Sequence, residues 1–224
     1  MNERRDEILA ILAEGSKSVK ELASLLYISE MTVRRAVKPL VAEGTVSHTR
    51  GRVSLNYGNE DIAYDIRRDL CGDEKVRLAR LGAQYLSGGE LVYIDDSTTC
   101  YNLIPHLTRC KPKCVVTNSL RLALELGRVG IATKIIGGDL NFFDKCVEGC
   151  DAIRFISGFN FDVAFLSAKG IDEKHVSDNH EGQATVRRTV IEHSKRSIFL
   201  IDKSKHGKSY PYIIVNRNEI TVIS

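Results

Sequence analysis

The sequence predicts an α/β protein with an N-terminal winged helix-turn-helix domain followed by a mostly parallel α/β sensor domain. Three observations predict it. Two short helical patterns flank a tight turn in residues 18–41, and a hairpin pattern follows in residues 45–55. From residue 73 onward, short apolar runs alternate with helical patterns, which is typical of parallel sheets with crossover helices. We therefore expect a first domain at residues 1–56, a linker at 57–72 and a second domain at 73–224.

The helix-turn-helix prediction rests on two helix starts and one apolar stripe. Ser18-Val19-Lys20-Glu21 has the spacing of a capping box, and Ser29 is placed to cap the next helix. On that helix Val33, Val37, Leu40 and Val41 fall on one side. A first helix over residues 1–14 is expected to pack behind both.

The opposite side of the second helix is basic. Arg35 and Lys38 lie on it with Arg34 beside them, and the hairpin tip reads Arg50-Gly51-Arg52. A helix with an apolar back and a cationic front is suited to a DNA groove. The alternative is that these arginines are ordinary solvated surface. The residues predicted to contact DNA are Thr32, Arg34, Arg35, Lys38, Arg50 and Arg52.

Composition narrows the possible classes without selecting one. A net charge of +3 and a pI near 8.5 are too mild to require a nucleic-acid partner, so DNA affinity has to come from a local patch. No apolar run approaches the roughly 20 residues of a membrane span and no leader opens the chain, so we expect a cytoplasmic protein. The pairs Cys110/Cys114 and Cys146/Cys150 permit a zinc site, but we predict reduced thiols, no metal and no cofactor.

Seven apolar runs are predicted to be strands, and the last two are expected to form an antiparallel addition. The runs are Leu91–Ile94, Cys114–Val116, Ile131–Ile136, Val163–Leu166, Ile198–Ile201, Tyr212–Val215 and Ile220–Ile223. Helical spacing occupies residues 98–107, 119–129 and 181–195, and Asp73 is placed to cap a further helix. Pro39 removes one backbone hydrogen bond from the basic helix, which predicts a kink or an early end there.

Polar residues follow five of the predicted strands. Ligands of open α/β sheets bind beyond the carboxyl ends of the strands, so these residues predict a site for a small polar ligand. The alternative is that they only cap turns and helices. A phosphate is expected at Ser97-Thr98-Thr99, with hydroxyl groups directed to Asp95, Asn118 and Lys205. The predicted effector residues are Asp95, Ser97, Thr98, Thr99, Asn118, Ser119, Gly137, Gly138, Lys169, Asp202 and Lys205.

The order of these motifs resembles that of the DeoR family of bacterial sugar-metabolism regulators. The residues that carry the resemblance are Arg34-Arg35, Asp95-Asp96-Ser97-Thr98-Thr99, Val116-Thr117-Asn118-Ser119, Gly137-Gly138, Asp162-Val163-Ala164-Phe165 and Asp202-Lys203-Ser204-Lys205. The resemblance implies a winged helix and a sensor domain related to ribose-5-phosphate isomerase. It also implies a double-stranded DNA operator, a phosphorylated sugar effector and no enzymatic activity. Gln183 stands where the family often has a glutamate.

A sugar-phosphate isomerase fused to a DNA-binding segment is the competing hypothesis. Isomerisation needs a carboxylate base beside the sugar carbons, and Asp162 and Glu181 are the candidates. Nothing in the sequence places either of them at the predicted pocket. A regulator with a reading head this small needs paired heads for operator specificity, so we expect a homo-oligomer, either a dimer or a tetramer.

Overall fold

The computed structural model describes residues 2–12, 15–55, 71–142 and 144–224. The chain divides into two compact units, Met1–Leu70 and Cys71–Ser224. The predicted linker at residues 57–72 lies outside the described residues, apart from Cys71 and Gly72.

The N-terminal unit is a winged helix-turn-helix. Its hairpin turns at Arg50 and Gly51, whose φ angles are 50° and 78°, and a short strand adds to the hairpin in the order β1-β3-β2. The predicted capping box is present, because Ser18 Oγ accepts from Glu21 N and the Glu21 carboxylate accepts from Ser18 N. The elements are α1 (Asn2–Leu12), β1 (Lys17–Ser18), α2 (Val19–Leu25), α3 (Glu30–Ala42), β2 (Val46–Thr49) and β3 (Arg52–Leu55).

The stripe predicted on α3 is the centre of this unit's core. Val33, Val37 and Leu40 are buried against α1, α2 and the hairpin, whereas Val41, which was predicted on the same stripe, is 41% exposed. The early helix end predicted at Pro39 is wrong, because α3 continues to Ala42 and the Pro39 carbonyl accepts from Glu43 N at 2.9 Å. A proline near a helix end forgoes one hydrogen bond and leaves the final turn closed.

The C-terminal unit contains a six-stranded parallel sheet in the order β14-β12-β9-β4-β5-β6. The sheet strands are β4 (Leu91–Ile94), β5 (Cys114–Thr117), β6 (Thr133–Ile135), β9 (Val163–Leu166), β12 (Ser197–Leu200) and β14 (Thr221–Ile223). The smaller sheets contain β7 (Asp139–Asn141), β8 (Cys146–Glu148), β10 (Gly170–Ile171), β11 (His175–Asp178) and β13 (Tyr212–Asn216). The helices are α4 (Gly72–Gly82), α5 (Ile104–Cys110), α6 (Leu120–Arg128), α7 (Cys150–Ser157) and α8 (Glu181–Glu192).

Strand order places a crevice between β4 and β9. The chain runs outward from β4 through β5 to β6, then returns to the other side of β4 and runs outward through β9, β12 and β14. This is the doubly wound order, in which ligands bind where the winding reverses, beyond the carboxyl ends of the strands. The predicted polar strand ends therefore lie at one edge of one sheet.

Alternating side chains of the sheet build a core on each face. Val92, Ile94 and Phe165 point to the face covered by α4, α5 and α6. Tyr93 and Ala164 point to the face covered by α7, α8 and the β10-β11-β13 sheet. Two-sided burial explains why the central strands read as continuous apolar runs.

Two features of this unit differ from the sequence prediction. The last two strands do not form an antiparallel addition, because β14 pairs parallel with β12 whereas β13 pairs antiparallel with β11 in a separate sheet. The predicted cap Asp73 lies inside the first turn of α4, and Cys71 precedes that helix with a φ of 56°. Strands β13 and β14 are neighbours in sequence but lie in different sheets, because each strand pairs with a sheet that has a free edge strand.

Candidate functional site

The reading face of α3 is exposed and cationic. Arg35 and Lys38 are exposed, and neither has a hydrogen bond or ion pair with the residues that the structure describes. Arg34 is paired with Glu30 at 3.5 Å on the surface, and Thr32 Oγ1 lies 2.9 Å from the Ser29 hydroxyl that caps the helix. The two unpaired cations are the ones opposite the buried stripe.

The two wing arginines differ in their surroundings. Arg52 is held by the protein, since its guanidinium donates to Ser16 O at 2.5 Å and lies 3.5 Å from the Glu21 carboxylate. Arg50 is exposed at the hairpin tip and has no partner within the described chain. Arg52 therefore braces the wing against the start of α2, and Arg50 projects from it.

A buried ion cluster lies at the crevice between β4 and β9. The Arg187 guanidinium donates to Asp95 at 3.2 Å, to Asp96 at 3.1 Å and to Asp178 at 2.7 Å. Asp95 also accepts from Ser167 N at 2.8 Å, across the crevice. One arginine therefore joins the ends of β4 and β11 to helix α8.

The cluster has more carboxylates than cations. Burial raises the pKa of Asp96 to about 6, while the Arg187 charge opposes that rise and the Asp95 carboxylate adds to it. The same three carboxylates raise the pKa of Arg187, against the effect of its burial. With all three ionised, the cluster has an excess of negative charge next to the predicted ligand position.

Several predicted effector side chains act as caps. Ser97 Oγ, Ser119 Oγ and an Asp202 carboxylate oxygen each accept from a backbone amide two or three residues along the chain, at 3.0, 3.2 and 3.0 Å. Ser97-Thr98-Thr99 precedes a four-residue 3-10 helix, Cys100–Leu103, rather than a long helix. The local capping alternative accounts for these three side chains.

Asn118 behaves differently from those caps. It is fully buried, and neither its Oδ1 nor its Nδ2 has a hydrogen-bond partner in the described part of the chain. Gln183 is also buried, and its Oε1 is unpaired in the same sense while its Nε2 donates to the Cys146 sulfur. Buried amides almost always have partners, so the unpaired atoms make Asn118 and Gln183 candidate ligand contacts.

Strand β8 contacts both Gln183 and the backbone of Asn118. Cys146 contacts Gln183, and its neighbour Val147 donates its N–H to the Asn118 carbonyl at 2.8 Å. A Glu148 oxygen also lacks a hydrogen bond and lies 3.4 Å from the His180 ring nitrogen, too poorly aligned for one. Residues 146–148 of β8 therefore contact Gln183 and the Asn118 backbone and include an unpaired Glu148 oxygen.

The predicted site also includes two lysines and two glycines, which differ in exposure. Lys169 and Lys205 are partly buried, and the Lys169 charge opposes the rise in the pKa of Asp96 that burial causes. Gly137 and Gly138 are exposed, and a Cβ at Gly138 would lie 2.5 Å from the Glu148 carbonyl. Gly138 therefore lets the loop after β6 approach β8 closely.

Several residues that build this region were absent from the predicted site. Arg187 and Gln183 lie one turn apart on α8, a spacing that places both on one helix face. The signal available in the sequence was an arginine placed on the apolar face of a helical pattern. Asp178 and Glu148 had no such signal, because both end short strands that were not predicted.

Other candidate sites are not supported among the residues that the structure describes. No group of three or more His, Cys, Asp or Glu side chains is arranged to hold a metal ion in that part of the chain. Cys146, the first residue of β8, is buried, and Cys150, the first residue of α7, is exposed. No helix in the described ranges is long and apolar enough to span a membrane.

Two sequence-family models match the chain. The one described as DeoR C terminal sensor domain matches residues 71–224, and the one described as DeoR-like helix-turn-helix domain matches residues 4–58. The resemblance found in the motifs is therefore confirmed over almost the whole sequence.

Individual relatives are named as regulators. The chain is 30% identical to the HTH-type transcriptional repressor GlcR of Bacillus subtilis, over 99% of this chain and 86% of the relative. It is 26% identical to the HTH-type transcriptional repressor CsqR of Escherichia coli, over 99% and 86%. Ribose 5 phosphate isomerase A from Neisseria gonorrhoeae is a distant structural match, 19% identical with a TM-score of 0.44, covering 60% of this chain and 53% of that one.

Proposed function

Because this chain belongs to the DeoR family of transcriptional regulators, we propose that it is a cytoplasmic repressor of carbohydrate metabolism genes. Its hold on a double-stranded DNA operator would respond to a phosphorylated sugar. The single observation that supports a ligand at the sheet edge is Asn118, whose buried amide has two polar atoms without described partners.

We give Asp95 a different role from the predicted one and add Gln183 to the proposed site. Asp95 is occupied by Ser97 N, Ser167 N and Arg187, so it positions the crevice rather than receiving sugar hydroxyls. Asn118 and Gln183 take the hydroxyl groups, since amides both donate and accept. The phosphate keeps its predicted place at the 97–99 turn, where the Lys169 charge offsets the repulsion from the neighbouring carboxylates.

Ligand binding is tested with the full chain and phosphorylated sugars, ribose 5-phosphate among them. A sugar at about 100 times its dissociation constant stabilises the folded chain by ~2.7 kcal/mol, which a thermal-shift assay detects. Lys169→Ala should weaken that shift for the phosphorylated sugar and leave the weak response to the unphosphorylated sugar unchanged. An equal loss for both would contradict a phosphate contact at Lys169.

Turnover separates this proposal from the isomerase hypothesis. Asp162, one of the two candidate bases, is bound to Lys195 at 2.8 Å and to Leu91 N at 2.9 Å, at the amino ends of β4 and β9. Ligands of this sheet bind at the opposite edge. We expect saturable binding of ribose 5-phosphate without isomerisation, and measurable turnover would favour the enzyme.

DNA binding is tested on Arg35, one of the two unpaired cations of α3. Arg35→Ala should weaken operator binding by ~1–3 kcal/mol, because it removes a base or phosphate contact. The fold should survive, because Arg35 is exposed and contacts no core residue. Arg52→Ala is the matched comparison, since that side chain braces the wing and should affect stability more than salt dependence.

Oligomeric state completes the proposal. Paired reading heads on two half-sites supply the specificity that one small head lacks, so a dimer or tetramer is the expected working state. Sedimentation of the full chain at micromolar concentration, with and without DNA, measures it. A monomer under both conditions would contradict this part of the proposal only.

A further inference from the structure

The turn between α2 and α3 contains an exposed aromatic side chain in a strained backbone conformation. Tyr27 is 95% exposed, and its φ is 52°. Left-handed backbone is disfavoured for every residue with a Cβ, and for a bulky residue it is an outlier. An exposed ring gains no packing energy that would offset this strain.

The backbone at Tyr27 closes helix α2 in a Schellman motif. The N–H of Ile28 donates to Ala23 O at 3.0 Å, and the N–H of Tyr27 donates to Ser24 O at 3.3 Å. This motif needs one left-handed residue directly after the C-cap, and glycine is the usual choice. The turn needs the conformation of Tyr27 and makes no use of its side chain.

The same chain uses glycine at two equivalent positions. Helices α3 and α6 end with the same pair of hydrogen bonds, and their left-handed residues are Gly44 with a φ of 71° and Gly130 with a φ of 76°. Tyr27 is the exception among these three helix ends. Strained residues that the fold does not require often mark functional positions.

The position of Tyr27 indicates what its side chain contacts. It lies two residues before Ser29, the N-cap of α3, and helix-turn-helix proteins direct this end of the second helix into the major groove. Met31, on the first turn of α3, is 76% exposed and shares its helix face with Arg35 and Lys38. Two apolar side chains thus border a cationic face that fits an anionic partner.

We propose that Tyr27 is a DNA-contact residue whose ring, beside Met31, packs on thymine methyl groups and deoxyribose at the edge of the major groove. Apolar contacts of this kind distinguish thymine from the other bases. The inference rests on the proposed function, because it needs α3 to be the reading helix.

The test separates binding from folding. The probe is a duplex selected by the wild-type full chain from a random-sequence pool. Tyr27→Gly should bind it about five- to fifty-fold more weakly, which corresponds to the loss of one base contact. Because glycine relieves the left-handed strain, the unfolding temperature of the variant should be no lower than that of the wild type.

Two further variants identify the cause. Tyr27→Phe keeps the ring and should bind within about threefold of the wild type, so a much larger loss would assign the contact to the hydroxyl and overturn the apolar proposal. Lys111→Gly removes another exposed left-handed side chain, at a φ of 52° in the C-terminal unit, and should leave DNA affinity unchanged.

The remaining outcomes count against the proposal or against its premise. Wild-type affinity in Tyr27→Gly overturns the contact while leaving the regulator intact. A lower unfolding temperature in Tyr27→Gly would show that the ring packs against protein, which also overturns it. Failure of the wild-type chain to select any duplex would instead contradict the proposed function.

Discussion

Gln183 and Arg187 lie one helical turn apart on α8, and the buried polar side chains around them differ in whether their hydrogen bonds are made. Around Arg187, three carboxylates receive guanidinium bonds of 2.7 to 3.2 Å. Around Gln183, that amide and Asn118 leave three buried polar atoms without partners in the described chain. Burial is similar in the two sets, so only the pairing distinguishes them.

The difference separates side chains that join parts of the fold from side chains that bind the ligand under the proposed function. A buried charge or amide without a partner is destabilising, and a fold tolerates it where binding later supplies the partner. The Arg187 set joins β4, β11 and α8 into one frame. The Asn118 and Gln183 set keeps three buried polar atoms without partners in the described chain.

Among the variants that test this difference, Arg187→Met should cause the largest loss of folding free energy. It leaves three buried carboxylates without their cation, which costs about 3–5 kcal/mol of folding free energy, a large part of a domain's stability. Urea unfolding followed by circular dichroism measures the loss. Stability should recover as the pH is lowered and the carboxylates become protonated.

An exposed arginine provides the control for that variant. Arg128 pairs with Glu125 at 3.1 Å on the surface with 76% of its side chain exposed, so Arg128→Met should change stability by less than ~0.5 kcal/mol. A similarly small loss in Arg187→Met would mean that the three carboxylates do not depend on the arginine, and the paired set would lose its distinction.

The fold was largely predictable because apolar periodicity is local. The runs at Leu91–Ile94 and Val163–Leu166 match strands of the structure to the residue. The partner of β14 was not predictable in this way, because pairing with β12 depends on which sheet edge remains free. Short strands such as β8 and β11 were missed because three or four residues carry too little periodicity.

The positions of Asp95 and Asn118 in the fold were more predictable than their hydrogen bonds. Strand ends located Asp95 and Asn118 correctly at the sheet edge, since the carboxyl ends of parallel strands meet there. Their hydrogen bonds were not predictable, because the partner of Asp95 lies 92 residues away at Arg187. One side chain is therefore engaged and the other unpaired, although both follow a strand.

Asp96→Asn should have an intermediate effect that depends on pH. Burial raises the folded-state pKa of Asp96 from 3.8 to about 6, so between these pH values the folded chain binds more protons than the unfolded chain. The free energy of unfolding therefore falls as the pH rises from about 4 to about 6, by up to ~3 kcal/mol from this group. The variant should lack that fall.

The measurement is the difference in unfolding free energy between variant and wild type across this pH range. Asp151→Asn, which changes an exposed carboxylate paired with Arg154, should follow the wild-type curve. Parallel curves for Asp96→Asn and the wild type would mean that Asp96 keeps an ordinary pKa. The excess negative charge assigned to the paired set would then be present at all of these pH values.

Asn118→Leu should have the smallest effect on stability and the clearest effect on binding. Leucine has the same branched skeleton of four side-chain heavy atoms as asparagine and replaces an amide whose polar atoms lack described partners, so folding should be unchanged or stabilised by up to ~1 kcal/mol. Asp95→Leu, the equivalent change in the paired set, should instead destabilise the fold, by several times ~1 kcal/mol, because it leaves three hydrogen-bond donors without their acceptor.

The thermal shift caused by a phosphorylated sugar should disappear in Asn118→Leu, since the ligand would then bring its hydroxyl groups to an apolar side chain. A loss above ~2 kcal/mol in the ligand-free variant would show that the Asn118 amide is already satisfied in the native protein. The two sets of side chains would then be equally paired, and the ligand position would have to be sought elsewhere along the sheet edge.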